Sequence, residues 1–150
     1  MDGKIDDKDK RIIEELLEHA DYTTRQIAKK VNLPITTIHN RIRKLKNEKI
    51  IRRFTIDVDY DQVDRGFMVY VLISASLTLL KQQKKTQYDI AKELQRFDFI
   101  ERVDIVSGGT DLVAIVRVKD VKEYDQMLLR KIQTVDGIEN TQSLIVIHQS

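Results

Sequence analysis

The sequence predicts an α+β protein in two parts, on three observations. Apolar residues recur at helical spacing through the first fifty positions, they change to alternation around and after Gly66, and the cations crowd into residues 25–53. The chain has 150 residues and is 41% hydrophobic, enough for a packed core in one ordinary domain or two small ones. Residues 1–53 are expected to be a three-helix domain, 54–66 a strand and linker, and 67–150 a second domain built on a sheet.

The first helix is expected from about Lys8 to His19, with Ile12, Ile13, Leu16, Leu17 and Ala20 on one face. Asp6 and Asp7 sit at its start, where carboxylates accept orphan N–H groups and meet the positive end of the helix dipole. The second helix opens on a capping box, Thr23 with Gln26 three residues on, and buries Ile27, Ala28 and Val31. Asn32-Leu33 makes the turn, and Pro34 suits the first turn of a third helix running to about Asn47. Its apolar residues Ile35, Ile38, Ile42 and Leu45 make one narrow inward stripe. The β-branched stretch Ile51–Val58 reads as a strand, and the acidic stretch Asp57–Gly66 as a linker.

Beyond Gly66 the order is strand, helix, strand, strand, helix, strand. Phe67–Leu77 is expected as a long strand with Phe67, Val69, Val71, Ile73, Ala75 and Leu77 on one face. Thr86–Arg96 is a helix with Ile90, Ala91 and Leu94 inward. Ile100–Ser107 and Asp111–Val118 are strands joined through Gly108-Gly109-Thr110, a hairpin signal because such turns need positive φ. Val121–Thr134 is a helix with Tyr124, Leu128 and Ile132 inward, Gly137 ends it, and Ile138–Ile147 is the last strand. This βαββαβ order is the ferredoxin-like split motif, one antiparallel sheet with both helices on one face. The other face then shows Tyr70 and Leu72, for which a second subunit is the simplest cover.

The net charge of +2 hides a strong asymmetry: −4 over residues 1–24, +9 over 25–53 and −3 over 54–150. A cationic block of that density suits a polyanion. At 100° per residue, the third helix points Thr36, Thr37, Asn40, Arg43, Lys44 and Asn47 away from its apolar stripe, with Arg41 and His39 on the flanks and no carboxylate among them. Two helices joined by a tight turn, the second with such a face, form a helix-turn-helix whose second helix enters the major groove of double-stranded DNA. Thr36, Thr37 and Asn40 are short enough to approach bases, and Asn pairs bidentately with adenine. Arg41, Arg43, Lys44, Lys46, Arg52 and Arg53 are placed to hold phosphates. Blander roles stand beside these: a structural His39, an Arg41 paired with an acid of the first helix, solvated Lys46 and Lys49, and Asn47 as a helix cap.

Several stretches resemble the Lrp/AsnC (feast/famine) regulators. They are Asp9-Lys10-Arg11-Ile12-Ile13, Ile27-Ala28, Val31-Asn32-Leu33 and Thr37–Leu45 (TIHNRIRKL), followed by Ile50-Ile51. In the second half, Val106–Leu112 (VSGGTDL) is similar to the family's Gly-x-x-Asp loop, and Val135–Thr141 (VDGIENT) to its stretch before the last strand. The resemblance covers nearly the whole chain. It implies a (winged) helix-turn-helix followed by a ferredoxin-like domain, and a cytoplasmic, DNA-binding transcription regulator. It further implies a homodimer or higher even oligomer, up to an octamer, and an amino-acid effector held between dimers. Carried over, the effector residues are Gly108, Gly109, Thr110 and Asp111, with Thr141 and Ser143 as neighbours. Asp111 would take an ammonium and the Gly backbone amides a carboxylate; against this, the loop reads equally as a plain hairpin turn. Two departures stand out: Pro34 where many members carry a Ser cap, and a longer, more basic Leu79–Gln87 (LLKQQKKTQ).

Other classes fit poorly. The chain lacks cysteine and the motifs G-x-S-x-G, P-loop and G-x-G-x-x-G, and its three histidines are scattered, so neither an enzyme nor a metal or other cofactor is expected. RNA binding through the sheet would need stacking aromatics, and on the open face of its central strands Tyr70 stands alone. A stand-alone small-molecule sensor conflicts with the +9 block. No apolar run is long enough for a membrane, and the N-terminus MDGKIDDKDK has no apolar core of a secretory signal.

Overall fold

Residues 5–149 are described by a computed structural model of the chain, in two units that divide between Val58 and Asp59. In the first, α1 spans Asp7–Glu18, α2 Thr24–Val31 and α3 Ile35–Asn47. A capping box opens α1: the Asp6 carboxylate accepts the Asp9 N–H at 2.8 Å, and the Asp9 carboxylate accepts the Asp6 N–H at 3.1 Å. The expected Thr23–Gln26 box opens α2, and Asn32 closes it at φ 54°. α3 begins after Pro34 with no side-chain cap. Ile12, Ile27, Ala28, Val31 and Ile38 make the core, joined by Leu16, Tyr22, Leu33 and Ile42.

Leu17, expected inward, is 79% exposed. It lies five residues beyond Ile12, about 140° round the helix, and two short partner helices cover only the Ile12 side. Ile51–Val58, expected as a strand, carries none. All regular structure in that unit is helical, so an extended segment there has no ladder to join. Phe54 and Ile56 are exposed.

The second unit is a four-stranded antiparallel sheet in the order β2-β3-β1-β4, built from β1 (Phe67–Ala75), β2 (Ile100–Ile105), β3 (Leu112–Val118) and β4 (Ile138–Ile145). The expected βαββαβ order holds, with α5 (Gln87–Leu94) and α6 (Val121–Met127) as its helices. Val69, Val71 and Ile73 are buried with Ile90, Leu94, Tyr124 and Ile132. Residues Leu128–Ile132 continue α6 as a π turn. On the other face the register aligns Ile115, Tyr70 and Leu144 across three strands, and Tyr70 is 37% exposed.

Three boundaries differ from expectation. β1 stops at Ala75, because the Ser76 hydroxyl accepts the Leu79 N–H and turns Leu77–Gln83 into a helix, α4, ended by Lys84 at φ 54°. The expected loop at Leu79–Gln87 is therefore largely helical, and Leu77 lies outside the strand. The expected linker is also folded. Tyr60–Val63 forms a 3-10 turn capped by Asp59, the Tyr60 ring stacks 3.9 Å from the Arg117 guanidinium, and Arg65 donates to the Asp98 carbonyl at 2.8 Å. Third, β2 and β4 end at Ile105 and Ile145, each two residues early.

Gly137 has φ +97°, and a Cβ there would lie 2.7 Å from Leu80 Cδ2 and 3.1 Å from Ile90 Cδ1. Gly137→Ala is expected to cost about 1–3 kcal/mol in chemical denaturation, from backbone strain and crowding together. A cost below about 0.5 kcal/mol would show that the turn relaxes freely.

Candidate nucleic-acid interface and effector loop

The outer side of α3 is open. Thr36, Asn40, Arg43, Lys44 and Asn47 are exposed, as are His39, Arg52 and Arg53, while Thr37 is half-buried. Opposite them Ile38 and Leu45 are fully buried, so the narrow stripe faces inward as expected, although Ile35 at its start is half open. Arg43 Nη2 donates to Asn40 Oδ1 at 3.2 Å, so a candidate phosphate contact holds a candidate base reader on this face. Lys46 lies 5.8 Å over the Phe54 ring. Asn47 is the last helical residue, and Glu48 takes the cap position.

Arg41 departs from the rest. Its Nη1 donates to Asp6 at 2.7 Å and to Asp9 at 2.8 Å. Among the candidate phosphate contacts it is the one bound to acids of α1, the alternative role that stands beside its expected place in the DNA-facing set. Asp9, with its side chain 1% exposed, is the residue that sequence reasoning missed. The Asp-x-x-Asp spacing at the helix start is the capping-box signal that could have found it. The Asp6 carboxyl is held at about 2, against an ordinary 3.8, first by the Asp9 backbone N–H and then by Arg41.

In the second unit Gly108 has φ +136°, and a Cβ at Gly108 or Gly109 would meet nothing within 4 Å. The loop closes where the Val106 N–H meets the Asp111 carbonyl at 2.9 Å. The Thr110 hydroxyl donates to the Ile73 carbonyl at 2.9 Å, and the Asp111 carboxylate accepts the Ala75 N–H at 2.8 Å. These bonds serve the end of β1 beyond its last β3 pairing, Ile73 with Leu112. Asp111 is thus a structural acceptor in this conformation. On the other side of β1, the Thr141 hydroxyl accepts from Gln133 Nε2 at 2.9 Å, and the Ser143 hydroxyl shares a hydrogen bond with Tyr124. Burial holds the Tyr124 hydroxyl above its ordinary pKa of 10.0. The six effector candidates therefore fall in two groups with β1 between them, the loop beside the end of β1 and Thr141 and Ser143 along β4 opposite Ile73 and Val71.

Two predictions come from these contacts. A carboxyl whose folded pKa lies below its unfolded one stabilises the fold above the usual carboxylate range and loses that contribution as pH falls through the folded value. Carboxyl NMR titration should place Asp6 near 2, and Arg41→Gln should raise it only part of the way to 3.8, because the backbone bond remains. An unshifted Asp6 would dismiss the clamp. Asp111→Ala should cost about 1–3 kcal/mol in denaturant, since it strands the buried Ala75 N–H, while effector-free binding to duplex DNA stays unchanged.

Residues 5–52 match a family model described as winged helix-turn-helix DNA-binding, and residues 72–150 one described as Lrp/AsnC ligand binding domain. The HTH-type transcriptional regulator FL11 of Pyrococcus furiosus is 30% identical over 148 residues, covering 98% of this chain and 92% of that protein. An uncharacterised HTH-type transcriptional regulator of Pyrococcus horikoshii is 29% identical over 141 residues, 94% and 91% of the two. Among solved structures, E. coli AsnC is 26% identical with a TM-score of 0.81, covering 97% of this chain and 93% of that one. A transcriptional regulator of Neisseria meningitidis, in complex with L-Met, shares the fold at a TM-score of 0.86 and 18% identity, over 97% and 91%. With both halves matched in order, the chain belongs to the Lrp/AsnC family of DNA-binding transcription regulators.

Proposed function

We propose that the exposed face of α3 reads base edges in the major groove through Thr36, Thr37 and Asn40, while Arg43, Lys44, Arg52 and Arg53 hold phosphates. One observation carries this reading: an accessible, cation-bearing helix face on which Ile35–Asn47 places no carboxylate. Arg43 already orients the Asn40 amide, so that side chain meets a base with less rotamer freedom to lose. The protein acts in the cytoplasm as a homodimer or a higher even oligomer, up to an octamer. The stripe Ile115–Tyr70–Leu144 supports the dimer, since a second copy's sheet would cover it.

An amino-acid effector is the second half of the proposal. The complex of the Neisseria meningitidis regulator with L-Met supports that ligand class. Gly108 and Gly109 offer open backbone to a carboxylate, and Thr110 and Asp111 fix the loop that carries them. A ligand bonding to Thr141 or Ser143 would exchange their bonds to Gln133 and Tyr124, and so transmit its arrival to α6 and the π turn.

Selection of sites from random duplex DNA, with and without each amino acid, tests both halves. Half-sites should recur about one helical turn apart or a multiple of it. Affinity should fall steeply with salt, and Asn40→Ala should relax preference at one base at a cost of about 1–3 kcal/mol. An equal loss on every sequence would place Asn40 on the backbone.

A further inference from the structure

The helix that reads DNA is held in an unusual way. Its N-terminus has no side-chain cap, and only Ile38 and Leu45, two turns apart on a narrow stripe, are fully buried. Such a helix is free to roll about its own axis unless a flank is fixed. A roll of 10–20° or a slip of about 0.5 Å is enough to take base-reading side chains out of productive geometry. Arg41 is on that flank, next in sequence to Asn40, and a single Nη1 reaches three carboxylate oxygens, at 2.8 and 2.7 Å on Asp6 and 2.8 Å on Asp9. The partners are held in place, although the Asp6 side chain is exposed. Asp9 is buried, and both carboxylates are fixed by the α1 capping box.

We propose that Arg41 is a positioning residue for sequence recognition. Clamped by Asp6 and Asp9, it sets the roll of α3 against α1 and thereby the aim of Thr37 and Asn40 at the bases, and it makes no phosphate contact of its own. This rests on α3 being the DNA-reading helix, but it makes a separate claim. A phosphate-binding arginine adds counterion release and little discrimination, whereas a positioning residue governs discrimination and leaves the counterion count alone.

The test uses the full chain and two duplexes, the site selected from random DNA and a scrambled version of it. The variants are Arg41→Gln, Asp9→Asn, Asp6→Asn and the double Arg41→Gln/Asp9→Asn. The clamp predicts that every variant loses affinity for the selected site, by about tenfold for Arg41→Gln, while keeping its affinity for the scrambled one. The slope of log affinity against log salt in Arg41→Gln should match that of the parent. The double variant should lose no more than the worse single, because the two act through one contact. Asp6→Asn keeps the test open should Asp9→Asn fail to fold, since its side chain is 55% exposed and Asn still caps a helix.

If Arg41→Gln instead lowers both affinities together and reduces the slope by about one, Arg41 is a phosphate contact and the proposal falls. It falls equally if removing either acid strengthens binding to both duplexes, or if all the variants behave as the parent. A parent that binds neither duplex in a salt-dependent way would instead defeat the assignment of α3 as the reading helix.

Discussion

Two carboxylates, each shared between two helices, hold the N-terminal unit together. Asp6 and Asp9 satisfy the orphan N–H groups at the start of α1 and, with the same side chains, bind the Arg41 guanidinium of α3. A second crossing bond runs from Arg11 of α1 to the carbonyl of Val31, the last residue of α2, at 3.0 Å. Three short helices around a core of five fully or nearly buried residues would otherwise have little to fix their mutual angles. The polar bonds at the helix ends supply direction that a small apolar core cannot.

A related economy governs the sheet unit. β1 outruns its partner β3, and the last of its backbone is served by side chains of the loop that precedes β3, with Thr110 giving to Ile73 and Asp111 taking from Ala75. The Gly108-Gly109 backbone is then carried at the tip of a loop whose base is fastened. The loop is a hairpin connection with a structural aspartate and an exposed tip.

Much of this was legible in the sequence. The capping box at Thr23, the buried stripe of α2, the split βαββαβ order and the alternation of β1 all came from periodicity and punctuation, because local propensity and tertiary packing agree there. The failures share a cause, which is that a pattern states what a segment would do with a partner. Ile51–Val58 has the composition of a strand but no neighbour to pair with, and Leu17 has the spacing of a core residue but no helix above it. At Ser76 a hydroxyl cap redirected the chain into α4. The outer face of α3 could be read because it depends on spacing alone. Spacing put Arg41 on the flank and left both phosphate contact and a pair with an acid of the first helix open, since choosing between them depends on a contact 35 residues away in the chain.

The folding of residues 59–66 onto the sheet, through Tyr60 on Arg117 and Arg65 on the Asp98 carbonyl, has a mechanical corollary. What remains as a leash is the stretch Thr55–Val58, no more than about 14 Å when drawn straight, because Ile51 is bonded to Leu45 and Phe54 lies under Lys46. Insertions in that leash should cost the fold little. The same insertions a few residues later would unseat an aromatic ring from a buried cation.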